Sequence, residues 1–308
     1  MKLDSKIFLA GHKGLVGSSI LRKLQNDGYK NIVVRTRQEL DLMDFMSVKD
    51  FFFKEKPEYV FLAAARVGGI YANSTYIAEF IYQNLQIQNN VIHSSYLSGV
   101  TKLLFLGSSC IYPKMTPQPI KEEYLLTGQL EESNYGYSIA KIAGIKMCEA
   151  YRQQYGCDFV PVMPTNMYGI GDNFDLNNSH VLPALLRKFH EAKLENKPFV
   201  EIWGSGKPKR ELMYSDDLAD ACVYIMNSDI KELINVGTGE DIAIADLAII
   251  IKKIIGYNGE IKFNTSKPDG TPRKVLDVTK INSYGWKAKT NLEDGIKKVY
   301  EWYKLNYK

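Results

Sequence analysis

The stretch "KIFLAGHKGLVGSSILRKLQNDG", Lys6 to Gly28, decides the fold. Four apolar residues, Ile7–Ala10, run into Gly11, Gly14 and Gly17, and an amphipathic helical pattern follows. Glycines between a strand and a helix permit a tight turn and let backbone amides approach a pyrophosphate, which the helix N-terminus also attracts. A ligand-free turn would share the glycines. The strand–turn–helix context favours the dinucleotide reading, although the spacing is GxxGxxG rather than GxGxxG.

Outward from this unit, short continuous apolar runs alternate with helical-period segments. "NIVVRTR" (31–37) precedes a helical "MSVKDFFFKEK" (46–56), and "EYVFLAAA" (58–65) precedes a long helix in "AEFIYQNLQIQNNVIHSSYLSG" (78–99). "KLLFLGSS" (102–109) is the next strand, and helix "SIAKIAGIKMCEAYRQQYG" (138–156) leads to strand "DFVPVMPTN" (158–166). Continuous rather than alternating apolar strands imply a parallel sheet covered on both faces. The expected fold is therefore a doubly wound α/β Rossmann domain over 1–165, with a return segment near 214–239 around "LINVGTG". From 166 to 308, loops rich in Gly, Pro, Asn and Asp around helices such as "VLPALLRKFHEAKLEN" (181–196) suggest a smaller, loop-rich α/β region that binds substrate.

The chain has 308 residues, 45% hydrophobic and 24% charged, enough apolar content for a sizeable core. A net charge of +4 suits an anionic small molecule and is far from a nucleic-acid footprint. Cys110, Cys148, Cys157 and Cys222 show no metal-type or CxxC spacing, so no metal is expected and a reduced setting is. The apolar part of "MKLDSKIFLAG" is too short for a signal peptide, and no run approaches the ~20 residues of a membrane span. A cytoplasmic protein without membrane partners is expected.

The second strand suggests which dinucleotide binds. NAD sites often place an acid there for the ribose 2′-hydroxyl, whereas a 2′-phosphate calls for basic groups. Here "VVRTRQELDL" (33–42) puts Arg35 and Arg37 at that place, on one side of the strand end by alternation, with Lys13 in the glycine loop. NADP(H) is expected, and Asp41 and Leu42 are candidates for the adenine. A solvated basic edge is the plainer alternative.

"LGSSCIYP" (106–113) leaves its strand through two hydroxyls and a thiol. Downstream, "YGYSIAK" (135–141) holds Tyr137 and Lys141 at i and i+4, one helix face, where the ammonium is expected to lower the phenol's pKa. Ser108 with such a pair suits protonation of an oxygen that receives hydride. Cys110 and His180 in "NSHVLPALL" (178–186) read equally well, on their own, as a small buried hydrophobe and a loop histidine.

The glycine loop, "LGSSCIYP" and "YGYSIAK" together resemble the extended short-chain dehydrogenase/reductase family. Longer stretches, among them "AAARVGGI", "MPTNMYG", "WGSGKPKRE" and "KPDGTPRK", resemble its GDP-4-keto-6-deoxy-mannose 3,5-epimerase/4-reductases from near residue 6 to near 305. The resemblance implies a homodimer and a GDP-sugar substrate that is epimerised at C3 and C5, then reduced at C4 by NADPH to GDP-L-fucose. It implies Ser108, Tyr137 and Lys141 at the carbonyl and Cys110 and His180 as the acid/base pair. For the cofactor it implies Gly11, His12, Lys13, Gly14, Leu15, Val16, Gly17, Arg37, Asp41, Leu42, Leu106, Gly107, Lys141, Pro164, Asn166, Met167 and His180.

For the substrate it implies Lys188, Trp203, Arg210 and Asp269. Two positions depart from the family pattern: Lys188 replaces an arginine and Tyr214 a histidine. A lysine does not replace a bidentate arginine contact. A GDP-4-keto-6-deoxy heptose therefore stays open as substrate. A redox-neutral, NAD-bound sugar epimerase and a non-catalytic NADP-binding protein are the other readings. The arginines oppose the first and the Tyr–Lys pair opposes the second.

Overall fold

Strands β1 (Ile7–Ala10) and β4 (Lys102–Leu106) are buried at every position, as a sheet covered on both faces requires. They belong to a six-stranded parallel sheet with β2 (Ile32–Val33), β3 (Tyr59–Leu62), β5 (Asp158–Pro164) and β10 (Ile234–Val236). The order is β10-β5-β4-β3-β1-β2 in the computed structural model, which describes residues 1–176, 179–267 and 269–307. Successive side chains of β1 face opposite ways. Phe8 and Ala10 join a core with helices α2 (Phe45–Glu55), α4 (Ile77–Leu97) and α5 (Tyr135–Tyr155), whereas Ile7 and Leu9 join one with α1 (Leu15–Asn26) and α7 (Ser215–Met226). A short helix α3 (Ile70–Thr75) precedes α4. The chain leaves β1 for β2 on one side and returns as β3 on the other. This switch point is where an open α/β sheet binds its ligand, beyond the strand carboxyl ends.

A third core lies outside this sheet. Helices α6 (Val181–Leu194), α8 (Ile244–Ile255) and α10 (Leu292–Asn306) pack around Leu186, Phe189, Ile251, Ile296 and Val299. Strand β7 (Phe199–Trp203), paired with β12 (Glu260–Asn264), alternates exposed and buried residues. Val200 and Ile202 thus enter the core and Trp203 is left outward, as a one-faced strand dictates. Strands β6 (Asn166–Tyr168) and β9 (Leu212–Tyr214) pair in parallel. A three-stranded sheet orders β11 (Ile242–Ala243), β8 (Lys209–Arg210) and β13 (Arg273–Lys274).

Two segments from the second half of the chain pack on the large sheet. β10 pairs with β5, and α7 is zipped to α1 by Ser19–Ser215 (2.8 Å) and Arg22–Asp216 (2.6 Å). Beyond residue 274 the chain returns again. Leu276 enters the first core, and Ile281 of α9 (Thr279–Ser283) and Trp286 enter the second. Among the described residues no helix is long and apolar enough to cross a membrane, and no group of three or more His, Cys, Asp or Glu is gathered for a metal ion.

Candidate active site

The glycine loop is shaped by close approach. Gly11 has φ +90°, and a Cβ there would lie 2.6 Å from the Ala64 nitrogen, where the loops after β1 and β3 meet. A Cβ on Gly17 would lie 2.0 Å from the Gly11 carbonyl oxygen. Gly14 caps α1 with no side-chain hydrogen bond, and the first turn holds no acid, so its amides keep their affinity for an anion. His12 Nδ1 is buried without a partner in the same loop. A cradle without side chains, uncapped amides and an orphaned ring nitrogen fit a dinucleotide pyrophosphate.

The end of β2 differs from the sequence expectation. The strand stops at Val33, so alternation does not set Arg35 and Arg37 together. Arg35 turns to Glu55 (2.9 Å) and lies over the Phe51 ring. Arg37 stays largely exposed, with Asp41 at 3.9 Å and Met43 Sδ at 3.8 Å from its guanidinium, and so can reach a phosphate. The Leu42 carbonyl accepts from Asn90 Nδ2 (2.9 Å), which ties this corner to α4.

Beyond β4, Gly107 N–H donates to the Val162 carbonyl (2.8 Å), and Ser108 starts a single 3-10 turn over 109–111. The turn brings Ser108 Oγ within 3.1 Å of Cys110 Sγ. Tyr112 fixes it from below, its buried hydroxyl donating to Asn235 Oδ1 of β10 (2.6 Å), while Asn134 Nδ2 donates to the Cys110 carbonyl (3.3 Å). Tyr137 and Lys141 project from the first turns of α5. Lys141 Nζ donates to the Leu106 carbonyl (2.8 Å) and sits over the rings of Phe105 (4.7 Å) and Tyr137 (5.9 Å).

Electrostatics here reverse one expectation. Burial, reinforced by Cys110, raises the Tyr137 phenol far above its ordinary pKa, against a lowering hydrogen bond from Ser108. Lys141 makes no lowering contribution, because its ammonium is turned to the Leu106 carbonyl. Burial lowers Lys141 itself to about 8. The phenol is thus a protonated donor at neutral pH, set beside Ser108 and Cys110.

His180 caps α6 from the smaller lobe. Among the described residues no hydrogen bond joins it to Ser108, Cys110, Tyr137 or Lys141. Its ring reaches solvent, while the protein around it lowers its pKa by desolvation. Pro164 closes β5, and Asn166 at the start of β6 donates to the Glu211 carbonyl (3.0 Å). Met167 packs against the core shared with α1.

The four substrate-side candidates come from α6 (Lys188), the end of β7 (Trp203), β8 (Arg210) and the chain before β13 (Asp269). Trp203 is 64% exposed, with Lys188 Nζ 5.5 Å and Lys267 Nζ 5.2 Å from its ring. Lys188 also donates to the Glu201 carbonyl (3.2 Å). Asp269 accepts from Ser205 N (2.8 Å) and Oγ (2.6 Å), and Arg210 donates to the Thr271 carbonyl (2.6 Å). Two participants were not singled out by sequence reasoning. Glu211 is fully buried and accepts from the amides of Thr238 (2.6 Å), Gly239 (2.8 Å) and Leu276 (2.8 Å), welding β8, the loop after β10 and the chain beyond β13. Lys274 stands in register with Arg210 across the β13–β8 pair. Both lie in quoted basic motifs, where only position could distinguish them from solvated neighbours.

With this geometry in hand, comparison with known proteins is direct. Residues 7–237 match the NAD dependent epimerase/dehydratase family. The chain is 56% identical over 304 residues to GDP-L-fucose synthase 1 of Arabidopsis thaliana, covering 98% of this chain and 94% of that protein. It is 52% identical over 311 residues to the GDP-L-fucose synthase of Escherichia coli K12, covering 98% and 97%. Among solved structures, a GDP-mannoheptose C4 reductase from Campylobacter jejuni with NADP bound superposes at TM-score 0.92, with 48% identity and 99% coverage of both chains.

Proposed function

This chain belongs to the NAD dependent epimerase/dehydratase family and, within it, to the GDP-L-fucose synthases; from that premise we propose how its residues carry out the activity of those enzymes. It is an NADPH-dependent epimerase/reductase that inverts C3 and C5 of a GDP-4-keto-6-deoxy-mannose and reduces C4 to give GDP-L-fucose. The observation that carries the reading is the contact of Ser108 Oγ with Cys110 Sγ at 3.1 Å beside a protonated Tyr137.

The C4 carbonyl acidifies the hydrogens at C3 and C5, because either loss gives an enolate on the C4 oxygen. Cys110 takes or returns the proton on one face and His180 on the other, a thiol and an imidazole both having workable pKa values near neutrality. Ser108 and Tyr137 donate to the C4 oxygen and stabilise the enolate. NADPH supplies the hydride for C4 when bound. Tyr137 then protonates the C4 oxygen, and Lys141 would hold the nicotinamide ribose. The glycine loop, Leu106, Gly107, Pro164, Asn166 and Met167 form the cofactor's bed, with Asp41 and Leu42 at the adenine. Arg210, Lys188, Trp203 and Asp269 hold the GDP end. Large-lobe residues 1–165 thus serve the cofactor and 166–308 chiefly the substrate.

Product NMR after incubation with GDP-4-keto-6-deoxy-mannose and NADPH tests this; NADPH consumption without inversion at C3 and C5 would reduce the protein to a plain 4-reductase. The related C. jejuni heptose reductase, together with Lys188, makes the heptose counterpart the second substrate to assay. A cytoplasmic homodimer completes the proposal. Exposed Tyr82, Leu97 and Tyr155 on α4 and α5 support that interface, and a solution mass near 35.0 kDa would refute it.

Arg37 is proposed to pair with the 2′-phosphate. Charge-assisted contacts contribute about 1.5–3 kcal/mol, so Arg37→Ala is expected to weaken kcat/KM for NADPH about tenfold or more and leave that for NADH nearly unchanged. Equal losses with both cofactors would remove Arg37 from that role.

A further inference from the structure

We propose that Lys274 is a positioning residue of the epimerisation step, its ammonium holding the Cys110 thiolate ready as base. The inference deepens the epimerase/reductase reading and rests on it.

Cys110 and Lys274 line one recess of about 10 Å³, room for roughly one water, beside Gln118, Glu131 and Thr271. The other basic groups at this recess are already matched. Lys114 pairs with Glu131 (3.1 Å), and Arg273 pairs with Asp241. Among the described residues the Lys274 ammonium has neither a hydrogen bond nor an ion pair, although the residue is half-buried. The charged or titratable groups it faces are Cys110, Arg210 and Glu131. Burial lowers its pKa and Arg210 lowers it further, while Cys110 and Glu131 oppose the shift. A half-buried amine without a counter-ion is costly, and such groups concentrate at functional sites. Glu131 is already paired with Lys114, which leaves a Cys110 thiolate as the unpaired anion its surroundings can supply.

The backbone that carries Lys274 is held on two sides. Its carbonyl accepts from Glu211 N (3.1 Å), and Leu276 N donates to the buried Glu211 carboxylate (2.8 Å). Val275 N donates to Gln118 Oε1 (2.9 Å), and Ile120 N to the Val275 carbonyl (2.8 Å), which links this strand to the loop that leaves Cys110. Lys274 and Cys110 are therefore held at one recess by connected backbone. In the step itself the thiolate takes the proton from C3 or C5. An S–H bond forms as the C–H bond breaks, and the electron pair moves to the C4 oxygen. Lys274 makes and breaks no bond.

The experiment is iodoacetamide alkylation of the cofactor-free enzyme, with Cys110 followed by peptide mass spectrometry and buried Cys148 and Cys222 as internal references. Cations beside a cysteine raise its thiolate fraction, so Lys274→Met is expected to slow Cys110 alkylation about tenfold at pH 7, a deficit that closes as the pH is raised. Lys274→Arg is expected to retain most of the rate. Deuterium exchange at C3 and C5 of the GDP-4-keto sugar should fall in parallel, with hydride transfer to an already inverted substrate much less affected. An unchanged Cys110 alkylation rate in Lys274→Met overturns the proposal, as does an equal loss of exchange and reduction, which would make Lys274 a substrate-binding cation. Should Lys274→Met fail to fold by circular dichroism, Lys274→Gln gives the same readings. Altered alkylation in an enzyme that exchanges no sugar proton would leave the pairing intact and refute the substrate reading instead.

Discussion

Tyr137→Phe is expected to lower NADPH oxidation by about three orders of magnitude, within the ~10²–10⁴ range of a positioned general acid. The ring remains, so the fold should be preserved; the proton donor to the C4 oxygen is lost. The phenol suits that task because burial keeps it protonated across the neutral range. Exchange at C3 and C5 should survive in part, since Ser108 still donates to the enolate oxygen. A pH profile adds the sign of the lysine's contribution. Lys141 carries its charge below about 8 and loses it above. Reduction should therefore be level on the acid side of that value and decline on the alkaline side, and the bend should vanish in Lys141→Met. A near-native reduction rate in Tyr137→Phe would take the phenol out of the chemistry.

Cys110→Ser carries the second large effect. The hydroxyl preserves shape and the contact with Ser108, but it is far too weakly acidic to serve as base near neutrality. Deuterium uptake at C3 and C5 in D₂O is expected to fall about 10²–10⁴-fold, read by NMR. Reduction of a substrate already inverted at both centres should continue at a comparable rate, because the change touches neither Tyr137 nor Lys141. Undiminished exchange at both carbons would end the role given to Cys110. The two variants thus separate the half-reactions, each leaving largely intact what the other removes.

Local pattern sufficed for the elements that neighbours in sequence determine. The run Ile7–Ala10 with Gly11, Gly14 and Gly17 implies a strand, a turn and a helix without further information, and the structure forms β1 and α1 there. Tyr137 and Lys141 share a helix face by spacing, and both lie in α5. Continuous apolar strands announced the parallel sheet because burial on both faces leaves no polar alternation. Packing across the chain was needed for what remained. Arg35 and Arg37 look alike in sequence, yet Glu55, brought in by α2, engages the first and leaves the second exposed. The lysine expected to acidify Tyr137 bonds the Leu106 carbonyl, so desolvation dominates and raises the phenol. Lys274 is one basic residue among several until β13 pairs with β8, Glu211 anchors the strand and Lys274 comes to line one recess with Cys110. Sequence alone therefore determined the doubly wound domain and its dinucleotide loop and supplied the candidates for the reactive groups, since these depend on near neighbours and chemical type. Tertiary structure alone decided which charges are neutralised, which are left half-buried without a partner, and which way each pKa moves. Those depend on distance and solvent access between residues tens to hundreds of positions apart.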